Sequence, residues 1–297
     1  MQRCHTSRQR ATLLVAMLLA AAALFLLSVS RPGLPREFGV ARTDRIPATL
    51  TIATLNLWHD YPHYSRQQER LETALEALHS FSPDLLCLQE ASRTPVVDHA
   101  AAALASSLEM TGVYARANGN RNLIRFEEGE AVLAQGALVG SAALELRPRA
   151  GFFEHRLALW ATVETEAGPV VVFSTHLTNQ GGAINAAQMG SLVELVERER
   201  HGLPAVVAGD FNADETTPQI AALPAHWHDA GLFAGREAQL DTPSPTSLDS
   251  GRRIDYIFLV EGDSADWGVL DAGTFGGEAL SDHLGVWVRV NLTVANE

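Results

Sequence analysis

The sequence contains no lysine: all 22 basic residues among its 297 are arginine. This excludes a lysine nucleophile, a Schiff base and the lysine of a phosphate-binding loop. Cysteine occurs twice, as Cys4 and Cys87, which excludes a disulfide framework and a cysteine-rich zinc site. The chemistry of this protein must therefore come from carboxylates, histidine, asparagine and arginine.

Positive charge is also scarce. The 35 acidic residues give a formal net charge of −13 at pH 7. Proteins that coat nucleic acid usually carry a basic face, so this balance argues against that class. Apolar residues make up 46% of the chain and charged residues 19%, so the chain is neither a disordered acidic protein nor a polytopic membrane protein.

The first thirty residues have the pattern of an export signal. Arg3, Arg8 and Arg10 precede an uncharged apolar run of about twenty residues, long enough to cross a bilayer core. The pattern favours a signal anchor, but a weak small-residue cleavage site at 28–30 leaves a signal peptide open. A buried core helix is disfavoured because the run has no polar face. Basic residues stay inside, so we expect an extracytoplasmic protein, membrane-anchored by this single helix or secreted if the segment is cleaved.

The remainder of the chain divides into a short connecting segment and one large unit. Residues 31–48 hold three prolines and four arginines and are predicted to be a linker. In residues 49–292, strand-like segments alternate with helices that are predicted to begin near Ser65, at Thr94-Pro95 and near Ile184. Some strands are adjacent as in hairpins and others are separated by helices, which predicts an α/β fold. Residues 49–292 are thus predicted to form one catalytic domain.

Six apolar strand segments each deliver an acid, an amide or an imidazole at one end, where α/β folds build their sites. Each such residue alone could be a turn cap or a core residue, but burying six unpaired polar groups would be costly. Pairing or a metal ion removes most of that cost, and oxygen ligands suit a hard cation such as Mg²⁺ or Mn²⁺. Such a cation beside His and Asp suits attack on phosphorus. The residues are Asn56, Glu90, His176, Asp210 with Asn212, Asp255, and Asp282 with His283.

Short motifs around these residues resemble those of the endonuclease/exonuclease/phosphatase superfamily, which includes DNase I-like enzymes. They occur in family order over nearly all of residues 50–290. The resemblance implies a four-layer sandwich, in which two packed mixed β-sheets are flanked by helices and the site lies at one edge. The motifs are Thr54-Leu-Asn56-Leu, Leu88-Gln-Glu90, Glu128-Gly-Glu-Ala-Val-Leu133, Ser174-Thr-His176-Leu, Gly209-Asp-Phe-Asn212, Arg253-Ile-Asp255-Tyr-Ile and Ser281-Asp-His283.

The resemblance also implies a metal site. Glu90 would bind a divalent ion, Mg²⁺ or Mn²⁺, with Asn56 beside it and Asp282 contributing. Glu130 departs from the family pattern, in which a small or apolar residue occupies this position.

The implied catalytic residues come from the later motifs. Asp210 would orient or deprotonate the attacking water, and Asn212 would hold the scissile phosphate. His283 would contact the phosphate and transfer a proton, with Asp255 fixing its ring, and His176 would stabilise charge on phosphate oxygens. The resemblance leaves the base open between Asp210 and His283. In either case a carboxylate beside the imidazole would raise the imidazole pKa and fix its tautomer.

Two groups near these motifs have alternative roles. Arg156 and Arg253 would either supply positive charge to a phosphate or be surface or structural residues. Trp58, Tyr61 and Tyr64 would either form an aromatic wall for a substrate or pack as a core or loop plug.

Three functions remain open. The first is a metal-dependent phosphodiesterase or phosphatase that acts outside the cytoplasm on a lipid headgroup or a small phosphorylated molecule. The second is an extracytoplasmic nuclease, and the third is a non-catalytic binding module. Without residues 1–30 the chain has 19 basic and 35 acidic residues, a net charge of −16, which disfavours duplex nucleic acid unless metal ions intervene. We expect a monomer that contacts the membrane through its N-terminal segment.

Overall fold

The computed structural model describes residues 2–29, 31–232 and 244–294. Helix α1 (Gln2–Val29) comes first, and its stretch Arg10–Val29 is long and apolar enough to cross a membrane, by length and composition. The side chains of residues 10–27 are exposed, so α1 projects away from the body of the protein. Its last turn contacts that body.

Thirteen strands in the described part of the chain form two mixed sheets. The first sheet has the order β1-β4-β5-β3-β2-β13-β12 and the second β10-β11-β9-β8-β7-β6. Numbered along the chain, the strands are β1 (Arg36–Gly39), β2 (Thr49–Asn56), β3 (Leu85–Arg93), β4 (Thr111–Gly119), β5 (Glu127–Ala134), β6 (Leu138–Glu145), β7 (Leu157–Thr165), β8 (Gly168–His176), β9 (Ala205–Asp210), β10 (Trp227–Asp229), β11 (Asp255–Val260), β12 (Ala265–Phe275) and β13 (Gly285–Val294).

Helices cover the outer faces of both sheets. The remaining described helices are α2 (Gln67–Phe81), α3 (Ala100–Ser107), α4 (Arg121–Ile124), α5 (Gly182–Glu199) and α6 (Pro218–Ala221). One apolar cluster lies between the sheets, a second joins α2 and α3 to the first sheet, and a third joins α5 to the second sheet. This alternation of layers confirms the predicted sandwich of two sheets flanked by helices.

Strand directions bring the polar ends together at one edge. β2 runs parallel to β3, and β8 runs parallel to β9, so the carboxyl ends of each pair share an edge. β13 is antiparallel to β2 and β11 is antiparallel to β9, so these two strands begin where their neighbours end. We call this end of the sandwich the site edge.

The segment at residues 31–48, predicted to be a linker, contributes instead to the fold. Strand β1 pairs with β4, and Phe38 packs against the cluster under α3. Ile46 is buried between the sheets and bridges to Thr165. The prolines interrupt this segment without preventing the pairing of β1 or the burial of Ile46.

One predicted helix start was wrong. Helix α2 begins at Gln67, near Ser65 as predicted, and the residue before it, Arg66, has a left-handed φ of 50°. Thr94-Pro95 does not begin α3. The Thr94 hydroxyl accepts hydrogen bonds from the amides of Val96 and Val97, forming a local turn, and the helix starts at Ala100.

Candidate active site

The site edge collects the predicted residues from both sheets. Asn56, His176 and Asp210 are the last residues of β2, β8 and β9, and Asp255 is the first residue of β11. His283 lies two residues before β13. These five side chains are buried, so the hydrogen bonds and charges among them determine the protonation of the two acids and the two histidines.

Asn56 connects the two sheets. Its Nδ2 donates to Asp210 Oδ2 at 3.1 Å and lies 3.4 Å from Glu90 Oε1. Its Oδ1 accepts from the Trp58 amide at 3.0 Å, which orients the side chain. Ser281 Oγ donates to the Asn56 carbonyl at 2.7 Å and so ties the segment before β13 to β2.

Glu90 reaches the site from inside a strand. β3 continues to Arg93 past a bulge between Leu88 and Ala91, and Glu90 in that bulge has a φ of 52°. Its Oε2 accepts from the His59 amide at 3.0 Å and lies 3.4 Å from His59 Nε2. Burial alone would raise the pKa of Glu90, but His59, Arg156 and the Asn56 amide lower it, so the carboxyl is ionised.

Asp210 lies at the centre of the second sheet's contribution. It is the register partner of His176 on one side and of Asp255 on the other. Its Oδ2 lies 3.4 Å from His176 Nε2, and its Oδ1 accepts from the Asn212 amide at 2.9 Å. Burial and the charge of Asp255 raise the pKa of Asp210 to about 7, so it can exchange a proton near neutral pH.

Asn212 and His176 lie beside Asp210. Asn212 has a left-handed φ of 49°, and its Nδ2 lies 3.2 Å from His176 Nε2 and 3.0 Å from the Leu177 carbonyl. Burial, followed by the charges of Arg156 and His283, lowers the pKa of His176 well below its usual range. The His176 imidazole is therefore neutral.

Asp255 and His283 form a hydrogen-bonded pair. His283 Nδ1 lies 2.8 Å from Asp255 Oδ2, which leaves its Nε2 3.8 Å from Asp210 Oδ2. Burial would lower the pKa of His283, but the hydrogen bond and charge of Asp255, with Asp210 and Asp282, raise it to about 10. His283 is therefore an imidazolium at neutral pH, held by one carboxylate and facing another.

Asp282 is the remaining predicted ligand. Its Oδ1 lies 3.2 Å from Ser281 Oγ, and its side chain is partly exposed. Burial and the nearby charge of Glu90, partly offset by His283, raise its pKa. Because Glu90 and Asp282 repel each other, a cation between them would lower the energy of both.

The donor set fits a hard divalent ion. Ligand atoms of Asp210, Asp255 and His283 lie within 4.8 Å of one another, and Asp255 Oδ1 is buried without a hydrogen-bond partner among the described residues. This group differs from the predicted ligands Glu90, Asn56 and Asp282, although Asn56 touches both sets. An oxygen-rich, acidic cluster is the environment that Mg²⁺ or Mn²⁺ requires.

Several neighbours were missed from the sequence. His59, three residues after Asn56, contacts Glu90 through its amide and ring. Gln89 accepts from Thr54 Oγ1 at 3.2 Å and donates to Ser174 Oγ at 3.1 Å, joining β3 to β8. Both residues are polar and lie within three residues of a predicted strand end, at Asn56 or Glu90, and this position is the signal that would have identified them.

The buried Glu130 was noted as a departure from the family pattern. Burial and the charge of Glu128 raise its pKa well above its usual range, so it is protonated. Its Oε2 has no partner among the described residues. The neutral form explains how an acid is tolerated inside this part of β5.

The two arginines have different surroundings. Arg253 forms a two-pronged ion pair with Asp229, at 2.7 and 2.5 Å, and stacks 4.3 Å from the Tyr256 ring. These contacts favour the structural alternative for Arg253. Arg156 pairs with Glu154 at 3.2 Å, and its charge lowers the pKa of Glu90, so it lies close to the site.

Two of the three aromatic residues that would form either a wall or a plug, Tyr61 and Tyr64, pack in one cluster with Phe126 of another loop. Tyr61 packs on Phe126 with ring centroids 4.5 Å apart, and Tyr64 and His59 contact the same ring. Trp58 lies apart from it, under the guanidinium of Arg70 at 4.4 Å. Tyr61 is 51% exposed and is therefore not a core residue.

The sequence identifies the class to which this fold and site belong. Residues 53–283 match the profile of the Endonuclease/Exonuclease/phosphatase family, and the chain belongs to that family. Its members are hydrolases that act on phosphoester bonds. The family match confirms the predicted resemblance. No curated protein sequence matches the chain significantly.

Solved structures share the fold at low sequence identity. The human Nocturnin catalytic domain with bound sulfate is 21% identical, with 87% of this chain and 98% of that chain covered and a TM-score of 0.67. D. rerio TDP2 complexed with single strand DNA product is 16% identical, with coverages of 82% and 99% and a TM-score of 0.67. An endonuclease/exonuclease/phosphatase from Beutenbergia cavernae is 23% identical, with coverages of 82% and 72% and a TM-score of 0.62.

Proposed function

We propose that this protein is a divalent-metal-dependent phosphoester hydrolase that acts outside the cytoplasm, on a lipid headgroup or a small phosphorylated molecule. The observation that carries the proposal is the convergence of Glu90, Asn56, Asp210 and the Asp255–His283 pair at one edge of the sandwich. Two acids, an amide and an imidazolium suit a substrate with a reacting phosphorus and developing negative charge.

Glu90, Asn56 and Asp282 would hold the metal in this proposal. The lowered pKa of Glu90 keeps it anionic, and the raised pKa of Asp282 reflects a repulsion that a cation would relieve. A bound Mg²⁺ or Mn²⁺ would supply positive charge to the phosphate. The group of Asp210, Asp255 and His283 is the other possible location, and metal titration of variants distinguishes the two.

The hydrogen bonds support the catalytic roles in this proposal. Asp210, with a pKa of about 7, is the base that accepts the proton of the attacking water. His283, a cation held by Asp255, contacts the phosphate and donates a proton to the leaving oxygen. Asn212 and the neutral His176 lie together on the opposite side of Asp210, where they would hold the phosphate oxygens.

Helix α1 and the net charge support the substrate class. One N-terminal apolar helix is consistent with a membrane-anchored or exported protein, and the exported part would have a net charge of −16. An acidic enzyme repels polyanions but can accept a single headgroup or a small phosphate ester. A nuclease is the second candidate, favoured by the family and by the D. rerio relative with a single-stranded DNA product.

The experiment assays the full chain in detergent against bis-p-nitrophenyl phosphate, p-nitrophenyl phosphate, sphingomyelin and plasmid DNA, each with Mg²⁺, Mn²⁺ or EDTA. Metal-restored cleavage of the diester or the lipid without DNA nicking supports the proposal. DNA nicking replaces it with the nuclease. Failure to cleave any of the four by a folded protein that binds Mn²⁺ rejects both hydrolase assignments in favour of a binding module.

A further inference from the structure

Helix α1 ends at the site edge. Ser28, in its last turn, accepts a hydrogen bond on Oγ from Asn120 Nδ2 at 2.7 Å, and Val29 is buried. Asn120 is the residue before α4, in the connection from β4 to β5. The apolar stretch of α1 therefore finishes in direct contact with the catalytic body.

The connection after α1 is too short to let the body turn away. Only residues 30–32 lie between Val29 and Gly33, whose amide donates to the Arg116 carbonyl at 2.8 Å. Four peptide steps extend at most about 14 Å. If α1 spans a bilayer, the connection between β4 and β5 must lie at the membrane surface.

The metal-site region is close to this point. β5 begins at Glu127, which pairs in register with Arg93, and Glu90 lies three residues earlier in β3. At about 3.3 Å per residue, Glu90 is roughly 10 Å along the strand from the start of β5. The site edge, rather than the opposite end of the sandwich, is therefore the end nearest to the membrane.

Exposed apolar side chains surround this point. Leu123 and Ile124 on α4 are 47% and 37% exposed, and Phe152 and Phe153 in the β6–β7 connection are each 55% exposed. Asn118, one residue before the end of β4, holds the β6–β7 connection beside this end of the strand, because its Oδ1 accepts from the His155 amide at 2.8 Å. We call Leu123, Ile124, Phe152 and Phe153 the apolar rim.

We infer that α1 remains in the membrane and that the apolar rim docks into the outer surface of the same bilayer, so that the site opens toward phosphorylated lipid headgroups. This inference rests on the proposed hydrolase function for its substrate and on geometry alone for its docking. The transfer of exposed Leu, Ile and Phe side chains from water into the apolar part of a bilayer lowers the free energy. Because α1 ends at this edge, the bilayer is the occupant rather than another protein.

The test measures the depth of labelled sites in the full chain. The protein carries Cys4→Ser, its buried Cys87 is unreactive, and it is reconstituted in phosphatidylcholine vesicles. A fluorophore is attached at Leu123→Cys, Ala150→Cys or Glu166→Cys. Glu166 is the matched control, since it is exposed in the β7–β8 turn at the opposite end of the sandwich.

Lipids with a quencher on the acyl chain should reduce emission at 123 and 150 at least threefold more than at 166. Equal quenching at the three positions overturns docking, as does a mature chain that begins after residue 30. The double change Phe152→Ser/Phe153→Ser should reduce the quenching at position 150 at least twofold. Leu270→Ser, a change at a 58% exposed residue of β12, should leave it unaltered.

A parallel assay separates this inference from the proposed function. The same vesicles are given bis-p-nitrophenyl phosphate with Mn²⁺ or EDTA. Quenching at the rim with no EDTA-sensitive hydrolysis keeps the docking and rejects the hydrolase. Hydrolysis with no preferential quenching keeps the hydrolase and rejects the docking.

Discussion

The Asn56 amide donates to the Asp210 carboxylate at 3.1 Å, from the last residue of a strand in one sheet to the last residue of a strand in the other. The candidate site is therefore a product of sheet packing and not of either sheet alone. Glu90 joins from the first sheet and His176 from the second. Changes at these positions should affect chemistry more than folding.

Replacing His283 by alanine should reduce the rate of phosphoester hydrolysis by about 10²-fold or more. The change removes the imidazolium that Asp255 holds and that faces Asp210. Steady-state kinetics on bis-p-nitrophenyl phosphate measure the effect. His79→Ala on the exposed face of α2 is the control. A loss smaller than tenfold would contradict the catalytic assignment.

Replacing Glu90 by glutamine should weaken Mn²⁺ binding at least about tenfold, because it removes an anionic oxygen ligand. Isothermal titration calorimetry of the full chain in detergent measures the dissociation constant. Glu72→Gln, an exposed change on α2, should leave it unchanged. If Asp255→Asn weakens binding and Glu90→Gln does not, the ion belongs with Asp210, Asp255 and His283 instead.

His99 should make the stability of the fold depend on pH. Burial, reinforced by the charge of Arg93, lowers the pKa of His99 to about 4. Below the unfolded value of about 6.5, the unfolded chain binds a proton that the native state does not. This contribution is complete above pH 6.5 and is lost as the pH falls toward 4, by about 2 kcal/mol between pH 7.5 and pH 5.

The variant His99→Asn tests this dependence. Asparagine can keep the cap that His99 Nδ1 provides to the Ala102 amide at 3.3 Å, but it does not titrate. Urea denaturation at pH 7.5 and at pH 5 gives the free energy of unfolding for both proteins. The variant should lose about 2 kcal/mol less than the native protein on acidification, and equal losses would refute the explanation.

Gly209 should tolerate no side chain. A Cβ there would lie 1.9 Å from the Thr175 carbonyl oxygen in the adjacent strand, so Gly209→Ala must push β8 and β9 apart. We expect a loss of about 3 kcal/mol in the free energy of unfolding, at the upper end for overpacked sites. Gly190→Ala, which meets nothing within 4 Å on α5, should instead stabilise by about 0.5–1 kcal/mol. Urea denaturation measures both.

The sequence was sufficient for the fold class because strands and helices alternate and the family motifs occur in order, and it located the site because polar residues fall where apolar strands stop. Asn56, His176 and Asp210 end their strands as predicted. Glu90 was predicted to end its strand, but β3 continues to Arg93 because the bulge turns one residue out of register. A bulge depends on the partner strand, and the local pattern does not reveal it.

Contacts between distant segments account for what the sequence missed. Residues 31–48 read as a linker because proline is frequent, yet Ile46 is buried by strands that come more than a hundred residues later. Thr94-Pro95 is a common helix start, but its hydroxyl is used by the following amides and by Gln67 in another element. The local propensity of a segment for helix or coil does not depend on contacts with distant segments, so it does not predict them.

The pairing of β2 with β13 has a consequence for the timing of synthesis. β2 is made before β13, yet they are neighbours in one sheet, and His283 lies two residues before β13. A chain still emerging from the ribosome has an open edge on β2 and lacks its imidazolium. Under the proposed function, a chain made only as far as β12 would be unable to hydrolyse phosphoesters in the compartment where it is synthesised.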